Sequence, residues 1–415
     1  MFSKSELNFN LLSEAQLTSS VFKHKAYDFY KELRALQPVY PIPLGEQNQG
    51  WFITGYDDAV SLLKDARLMK NLDNLFSKKE EVHMPFSIEN REFLRKHMLN
   101  SDPPDHNRLR SLVQKAFTPQ MILQLEDRIQ HIADTLLDKV ENNHSMNLVN
   151  DYAFPLPIMV ISEMLGIPHE DQQKFRVWSE AFIESSNTSE SMQENNQKLE
   201  EFIEYIKYLI RKKAETPTND LINTLIQAES EGTKLSESEL YSTIVLLIVA
   251  GHETTVNLIT NMMLALLEHP AQLQKLREEP ELIHLAIEEA LRFYSPVELA
   301  TLRWAAEPFM LHGQNIKTKD RIIISLASAN RDEKVFSNAD VFDITRKNNR
   351  HIAFGHGSHF CLGAPLARLE ARVAIPTLLR RMPNIQIQNR EQVSWKGNYL
   401  MRSLEELPLL FSVEI

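Results

Sequence analysis

The feature that most constrains the fold is an unusually apolar stretch in the second half of the chain. Residues 236–268 are rich in Leu, Ile, Val and Met, and these apolar residues fall on every side of a helix. The stretch opens with Ser236 and has Glu239 three residues later, which is the pattern of a capping box. At about 1.5 Å per residue, such a helix would be roughly 45 Å long. A helix this long and apolar on all sides is expected to cross the interior of a large folded unit.

Six residues in the middle of this helix, AGHETT at 250–255, interrupt its apolar character. A glycine in a helix interior costs about 1 kcal/mol relative to alanine, and buried Glu and Thr cost more unless they are paired. Several such costs in one short segment indicate a functional site. A hydrogen bond from Thr254 back to the carbonyl of Ala250 would help to bend the helix and to open a groove.

A second unusual segment, FGHGSHFCLG at 354–363, contains Cys361, the only cysteine among 415 residues. Three of the eleven glycines of the chain lie in this segment, and glycine adopts backbone conformations that other residues reach only at a cost. The residues that follow predict a helix, whose N-terminal N–H groups and dipole can stabilise a thiolate. His359 is a potential hydrogen-bond donor to an anion.

A lone cysteine in such a loop has a structural interpretation and three chemical ones. Cys361 can be a small buried hydrophobic residue or a nucleophile with a histidine base. It can also bind zinc together with His351, His356 and His359, although structural zinc sites favour paired ligands such as Cys-x-x-Cys. A haem thiolate needs one cysteine, a tight loop and cationic groups for two propionates, so it explains more of the segment.

The loop resembles the haem-binding signature of the cytochrome P450 family, Phe-x-x-Gly-x-(Arg or His)-x-Cys-x-Gly. The fixed positions are filled by Phe354, Gly357, His359, Cys361 and Gly363. The resemblance implies that Cys361 is the axial ligand of the haem iron. AGHETT is similar to the oxygen-binding motif of the same family, which implies that Glu253 and Thr254 are the acid–alcohol pair that delivers protons during oxygen activation.

The segment EALR at 289–292 resembles the Glu-x-x-Arg motif of the family. Glu289 and Arg292 are three residues apart and therefore share a helix face. In the family this pair is structural and holds the haem-side core together. The resemblance extends from about Tyr27 to the C-terminus and is closest to soluble bacterial members, especially those that hydroxylate macrolides and related natural products.

Four residues resemble the groups that bind the haem propionates in bacterial members of the family. His106 and Arg110 lie four residues apart in DPPDHNRLR, and Arg303 stands in ATLRWA. Together with His359 they would provide four donors for two carboxylates, which is sensible charge pairing for a buried dianion.

Around these motifs the sequence predicts mostly helix with a minor sheet. The part from about 1 to 100 carries more β-structure, and 101–415 is mostly helical. The resemblance implies the cytochrome P450 fold, a helix-rich prism with small sheets and a long central helix over the haem, with 1–415 as one haem-thiolate domain. The individual predictions are strands at 50–56 and 321–329, helices at 57–65, 121–140, 282–294 and after the cysteine loop, and loops at 70–100 and 184–197.

Composition limits the class of partner. The net charge of −11 and the pI of about 5.7 argue against a nucleic-acid-binding protein, which would need a surplus of Lys and Arg. A single cysteine excludes an internal disulfide framework. The N-terminal residues do not look like a signal peptide, and no apolar run reaches the roughly 18 residues of a membrane span. These features predict a cytoplasmic protein without a membrane anchor.

The resemblance implies a haem-thiolate monooxygenase with one haem b per chain. It would use O2 and two externally supplied electrons to hydroxylate or otherwise oxidise a largely apolar small molecule, such as a polyketide, steroid, terpene or fatty acid. The pocket is predicted to be lined by Ala250, Val297, Leu299 and Ala300. A peroxide-driven relative would generally carry Arg–Pro in place of the Glu–Thr pair. A haem-binding sensor or carrier is a further alternative.

The electrons are expected to come from a separate protein, because the length of the chain is used up by the haem domain. The implied donor is a ferredoxin or flavodoxin with an NAD(P)H-dependent reductase. Lys115 and the basic residues within 346–350 are a candidate docking patch on the cysteine side.

Overall fold

The computed structural model describes residues 13–44, 48–76, 93–172, 174–175, 177–178, 189–230 and 233–412. Helices predominate, in agreement with the predicted fold class, and the strands form small sheets. The α-helices of these residues are α1 (Glu14–Leu17), α2 (Ser20–Leu36), α3 (Tyr56–Leu62), α4 (Asp105–Ala116), α5 (Pro119–Leu123), α6 (Glu126–Asp138), α7 (Pro155–Leu165), α8 (Ser189–Glu215), α9 (Leu221–Gln227), α10 (Glu237–Glu268), α11 (Pro270–Glu278), α12 (Ile283–Phe293), α13 (Leu326–Ala329) and α14 (Ala364–Arg381).

The largest sheet joins strands from both halves of the chain. The strands of the described residues are β1 (Val39–Leu44), β2 (Asn48–Ile53), β3 (Leu68–Met69), β4 (Ser145–Asn147), β5 (Glu229–Ser230), β6 (Thr233–Lys234), β7 (Arg303–Ala305), β8 (Phe309–Leu311), β9 (Gln314–Ile316), β10 (Arg321–Ile324), β11 (Gln386–Ile387) and β12 (Pro408–Leu410). The order of the largest sheet is β1-β2-β10-β7-β3, with β2 and β10 parallel and the other described pairs antiparallel. The early strands of the sequence are therefore completed by strands that follow residue 300.

The predicted long helix is α10, and both hydrogen bonds of its capping box are present. The Glu239 N–H donates to Ser236 Oγ at 3.3 Å, and the Ser236 N–H donates to Glu239 Oε2 at 2.8 Å. The helix packs against α7, α12 and α14. By length and hydropathy it is the one helix in the described parts of the chain that could cross a membrane, but 67% of its most apolar window is buried inside the protein. This is the environment of a core helix.

Several element boundaries differ from the sequence predictions. The predicted helix at 121–140 consists of two helices, α5 and α6. The predicted strand at 321–329 ends at Ile324, because Ser325 Oγ accepts the N–H of Ser328 at 3.1 Å and thereby caps the short helix α13. A capping serine competes locally with strand pairing, so the apolar run changes from strand to helix.

The predicted polar loop at 184–197 is wrong for its second half. Residues from Ser189 onwards form the first turns of α8, while 184–188 lie outside the described residues. Glu, Gln and Met are strong helix formers, which favours a helix over a loop in this segment. Within the predicted loop at 70–100, residues 77–92 lie outside the described residues, and the remainder holds only short helical turns.

Candidate active site

The cysteine loop is held in shape by two glycines and by backbone hydrogen bonds. Gly355 and Gly357 have φ angles of 72° and 77°, which lie in the left-handed region that favours glycine. The N–H of Cys361 donates to the carbonyl of Phe354 at 2.9 Å and closes the loop. Gly363 has an ordinary φ of −79°. The backbone therefore requires glycine at two of the three positions.

The thiol of Cys361 lies at the N-terminus of α14. Burial raises the pKa of this thiol, while backbone N–H groups of Gly363 and Ala364 and the charge of Arg110 act in the opposite direction. The residue is nevertheless accessible to solvent. A thiolate at this position would be stabilised by the first N–H groups of α14, as required of a metal ligand.

Four predicted propionate-binding residues come together beside this loop with one further cation. The ring centroids of His106 and His359 are 4.1 Å apart, and both Arg303 and His106 are buried. Burial lowers the pKa of His359 to about 2, with smaller contributions from Lys70, His106, Arg303 and Arg110. Burial also lowers the pKa of Arg303 to about 10. We call these five residues the basic cluster.

Lys70 is the member of the basic cluster that the sequence analysis missed. It is only 4% exposed, and its ammonium group donates to Thr301 Oγ1. Burial and then the charge of Arg303 hold the pKa of Lys70 well below its usual range. The carboxylate of Asp102 accepts backbone N–H groups of Lys70 and Asn71 at 2.8–3.1 Å. A lysine after two apolar residues matches no motif, so the sequence contained no signal for it.

The basic cluster fits the carboxylates of a haem. It concentrates buried basic groups, and the carboxylate of Asp102 accepts hydrogen bonds from backbone N–H groups. His106 Nε2 is buried without a hydrogen-bond partner within the described ranges. Two propionates would supply both the missing charge and the missing acceptor. The zinc alternative receives no such support, since the described residues contain no group of three or more His, Cys, Asp or Glu that could hold a metal ion.

The middle of α10 has an accessible side within an otherwise buried helix. Ala250 is exposed, and Gly251, Glu253 and Thr254 are partly exposed. The hydroxyl of Thr254 donates to the carbonyl of Ala250 at 3.0 Å, the back-bond predicted from the sequence. A Cβ on Gly251 would lie 3.3 Å from Ile161 of α7, so this glycine also allows two helices to approach closely.

The predicted pocket residues after Pro296 occupy different environments. Val297 is half-buried and forms a β-bridge with Met401. Ala300 is 8% exposed. Leu299 is only 1% exposed and lies in the apolar cluster that includes residues of α2. The side chain of Leu299 therefore packs in the apolar core.

The Glu289–Arg292 pair is completely buried. Arg292 donates from Nε and Nη2 to the two carboxylate oxygens of Glu289, each at 2.8 Å. Arg346 adds a third contact, from its Nε to Glu289 Oε2 at 3.0 Å, and also donates to the carbonyl of Ser337 at 2.8 Å. Arg346 is thus engaged in the core-side network. Its guanidinium is not a surface charge for a docking partner, contrary to the sequence prediction.

The loop, the long helix and the Glu-x-x-Arg pair occur together in one known family. The model of the cytochrome P450 family matches residues 161–393, more than half of the chain. The chain belongs to the cytochrome P450 family. It is therefore a cytochrome P450 monooxygenase, and members of this family bind haem b.

Relatives with full-length similarity agree with this assignment. A cytochrome P450 of Bacillus subtilis (strain 168) is 67% identical over 99% of this chain and 100% of its own. The polyketide biosynthesis cytochrome P450 PksS of the same organism is 43% identical over 94% of this chain and 97% of its own.

Two solved structures share the fold. The structure of PksS has a TM-score of 0.89 at 42% identity and covers 95% of this chain and 99% of its own. The myxobacterial cytochrome P450 CYP267B1 in complex with myristic acid has a TM-score of 0.90 at 40% identity, with 96% and 99% coverage. The predicted cytochrome P450 fold is confirmed.

Proposed function

We propose that this cytochrome P450 uses O2 and two electrons from a separate protein to hydroxylate, or otherwise oxidise, a largely apolar small molecule. The observation that carries the proposal is the accessible acid–alcohol pair, Glu253 and Thr254, in the middle of a helix that is otherwise buried. Bound haem supplies the oxygen-activating chemistry. The residues of the chain supply the ligand, the charge pairing and the protons.

Cys361 and the basic cluster are proposed to hold the haem. Cys361 would provide the thiolate that binds the haem iron, supported by the N-terminal N–H groups of α14. His106, Arg110, Arg303 and His359 would bind the two propionates, together with Lys70. Each of these basic side chains is partly or fully buried and therefore already ordered, which reduces the entropy lost when it binds a carboxylate.

Glu253 and Thr254 are proposed to deliver protons. The Thr254 hydroxyl uses its hydrogen to bond the carbonyl of Ala250, so its lone pairs can accept a hydrogen bond from water. The carboxyl side chain of Glu253 is 15% exposed and lies 4.0 Å from the ring of His252. A partly accessible carboxylate can exchange protons with water and pass them towards the hydroxyl.

The substrate is proposed to be an apolar chain or ring system of the polyketide or fatty-acid kind, with steroids and terpenes as further members of the class. Ala250, Val297 and Ala300 are small or apolar and are the proposed lining. The name of PksS refers to polyketide biosynthesis, and CYP267B1 was solved with myristic acid. Both compound classes are long and largely apolar.

The electron donor is proposed to be a ferredoxin or flavodoxin with an NAD(P)H-dependent reductase, and the protein is proposed to work in the cytoplasm. Such acidic donors favour a cationic docking surface. Lys115, exposed on the last turn of α4, remains a candidate contact. Arg346 does not, because it binds Glu289.

Replacement of Thr254 by alanine tests the proposed function. The Thr254→Ala variant should retain haem and still show the spectral shift on substrate binding. Product formed per NAD(P)H should fall by roughly 100-fold, the lower range for loss of a positioned proton-transfer group, and hydrogen peroxide should take up the lost electrons. The measurement is a reconstituted assay with a surrogate ferredoxin and reductase and a small panel of apolar compounds that includes myristic acid.

Thr260→Ala is the matched control, because Thr260 makes the same back-bond, to the carbonyl of Val256 at 3.0 Å, but is 1% exposed. This variant should couple electrons to product as the wild type does. Equal coupling in Thr254→Ala and the wild type would remove the role of Thr254. Product formation driven by peroxide alone would favour the peroxide-driven alternative, and haem binding without substrate-dependent NAD(P)H consumption would favour a sensor or carrier.

Lys70→Met should weaken haem retention. Loss of one charge-assisted hydrogen bond costs about 1.5–3 kcal/mol, which corresponds to roughly 10- to 100-fold faster transfer of haem to an acceptor protein. The control is Lys96→Met, because Lys96 is an exposed lysine in the same part of the chain. Unchanged haem transfer in Lys70→Met would show that Lys70 does not bind a propionate.

A further inference from the structure

Glu288, His351 and Arg368 form a polar cluster next to the cysteine loop. None of the three has a role in the proposed haem binding or proton delivery. Glu288 of α12 accepts hydrogen bonds from Arg368 Nε at 2.6 Å and from Arg368 Nη2 at 2.8 Å. His351 Nε2 is 2.9 Å from the same carboxylate. The carboxylate of Glu288 therefore connects α12 to α14 and to the segment that precedes the cysteine loop.

The tautomer of the neutral His351 ring follows from its two contacts. Its Nδ1 accepts the backbone N–H of Ala353 at 3.2 Å, so the ring hydrogen of the neutral form is on Nε2 and is donated to Glu288. His351 is 3% exposed. Burial alone would raise the pKa of Glu288, but the bonds from Arg368 and His351 lower it to about 2. Glu288 is thus charged and balances Arg368.

Both partners of Glu288 contact the residue that closes the cysteine loop. The guanidinium of Arg368 lies 4.5 Å above the ring of Phe354, and the ring of His351 lies 6.1 Å from it. Phe354 in turn accepts the N–H of Cys361. Burial raises the pKa of Cys361, and the charge of Arg368 is one of the smaller contributions that act against this rise.

We propose that Glu288 is a positioning residue for the thiolate: it fixes His351 and Arg368 beside the ring of Phe354 and neutralises the arginine charge that the sulfur would otherwise feel. The proposal rests on ligation of haem iron by Cys361. An unbalanced cation beside the sulfur withdraws electron density from it and favours the reduced, more negative haem. Outer partners of a metal ligand act on the metal in this way.

Glu288→Gln tests the proposal in the purified holoprotein, because it removes the charge and keeps the shape. The reduction potential of the haem should become more positive. The CO complex of the reduced protein should lose its thiolate-type Soret band about tenfold faster than the wild type in mild denaturant, the lower range for loss of an outer partner of a metal ligand. Thermal unfolding is measured in parallel, so that a general loss of stability is recognised.

The matched control is Glu126→Gln. Glu126 pairs with Arg372, which lies one turn after Arg368 on α14, at 3.0 Å, and both arginines line the same surface cavity of about 410 Å³. This variant should leave the potential and the lifetime of the band unchanged, since its arginine does not contact the loop in the described structure.

The double variant Glu288→Gln/Arg368→Gln shows whether the unbalanced charge of Arg368 causes the shift in reduction potential. If the unbalanced charge matters, the potential should return towards that of the wild type, and Arg368→Gln alone should lower it. Equal shifts in the single and double variants, or a Glu288→Gln potential equal to that of Glu126→Gln, would overturn the proposal. A wild-type protein without the thiolate-type band would instead refute the ligation by Cys361, so the two failures are distinguishable.

Discussion

Replacement of Cys361 by alanine is expected to abolish the red-shifted Soret band of the reduced CO complex. The chain contains no second cysteine, so no other thiolate can take over as ligand. Haem that remains bound through the basic cluster should show a band typical of histidine or water ligation, and product formation should be lost. The difference spectrum of the reduced protein, recorded with and without CO, measures this directly.

Ser358→Ala is a suitable control, because Ser358 is an exposed residue of the same loop. Its spectrum should equal that of the wild type. A thiolate-type band that persists in Cys361→Ala, or a wild-type protein that never shows this band, would refute the assignment of the axial ligand.

Of the substitutions proposed for this protein, Glu289→Gln should lower the free energy of unfolding the most. The carboxylate of Glu289 accepts bonds from Arg292, Arg346, Asn349 and the backbone of Asp343, and it is fully buried. Removal of one partner of a buried ion pair typically costs about 3–5 kcal/mol, because the opposite charge is left uncompensated. Urea unfolding followed by circular dichroism measures the free energy of unfolding.

An exposed pair with the same spacing provides the comparison. Glu204 and Lys207 are also three residues apart and lie 2.6 Å from each other, but the Glu204 side chain is 65% exposed. Glu204→Gln should change the free energy of unfolding by less than about 0.5 kcal/mol. If Glu289→Gln changed the free energy of unfolding by equally little, the Glu289–Arg292 pair would not hold the core together.

The sequence was most informative where the relevant interactions are local. The capping box at Ser236, the left-handed glycines of the cysteine loop and the bond from Thr254 to Ala250 all join residues within a few positions of each other. Such interactions are set by backbone chemistry and residue type, so spacing alone is a sufficient guide. Element boundaries were less predictable, because the serine cap at Ser325 competed with an apolar run that reads as strand.

Residues whose roles depend on distant partners could not be predicted. Lys70 becomes a buried cation only because β3, the start of α4 and the chain before β7 meet, and Arg346 becomes part of the core because Glu289 lies beside it. Glu288 gains its role from His351 and Arg368, which are 63 and 80 residues away.

The sequence by itself thus determined the family and the long buried helix, and it supplied the proposed thiolate ligand and the proposed acid–alcohol pair. Only the tertiary structure decided which charged side chains surround that ligand, which of them are desolvated and which carboxylate balances each of them. The physical reason is that the energy of a charge depends on its solvent exposure and on its neighbours in space. Neither quantity is encoded in the spacing of residues along the chain.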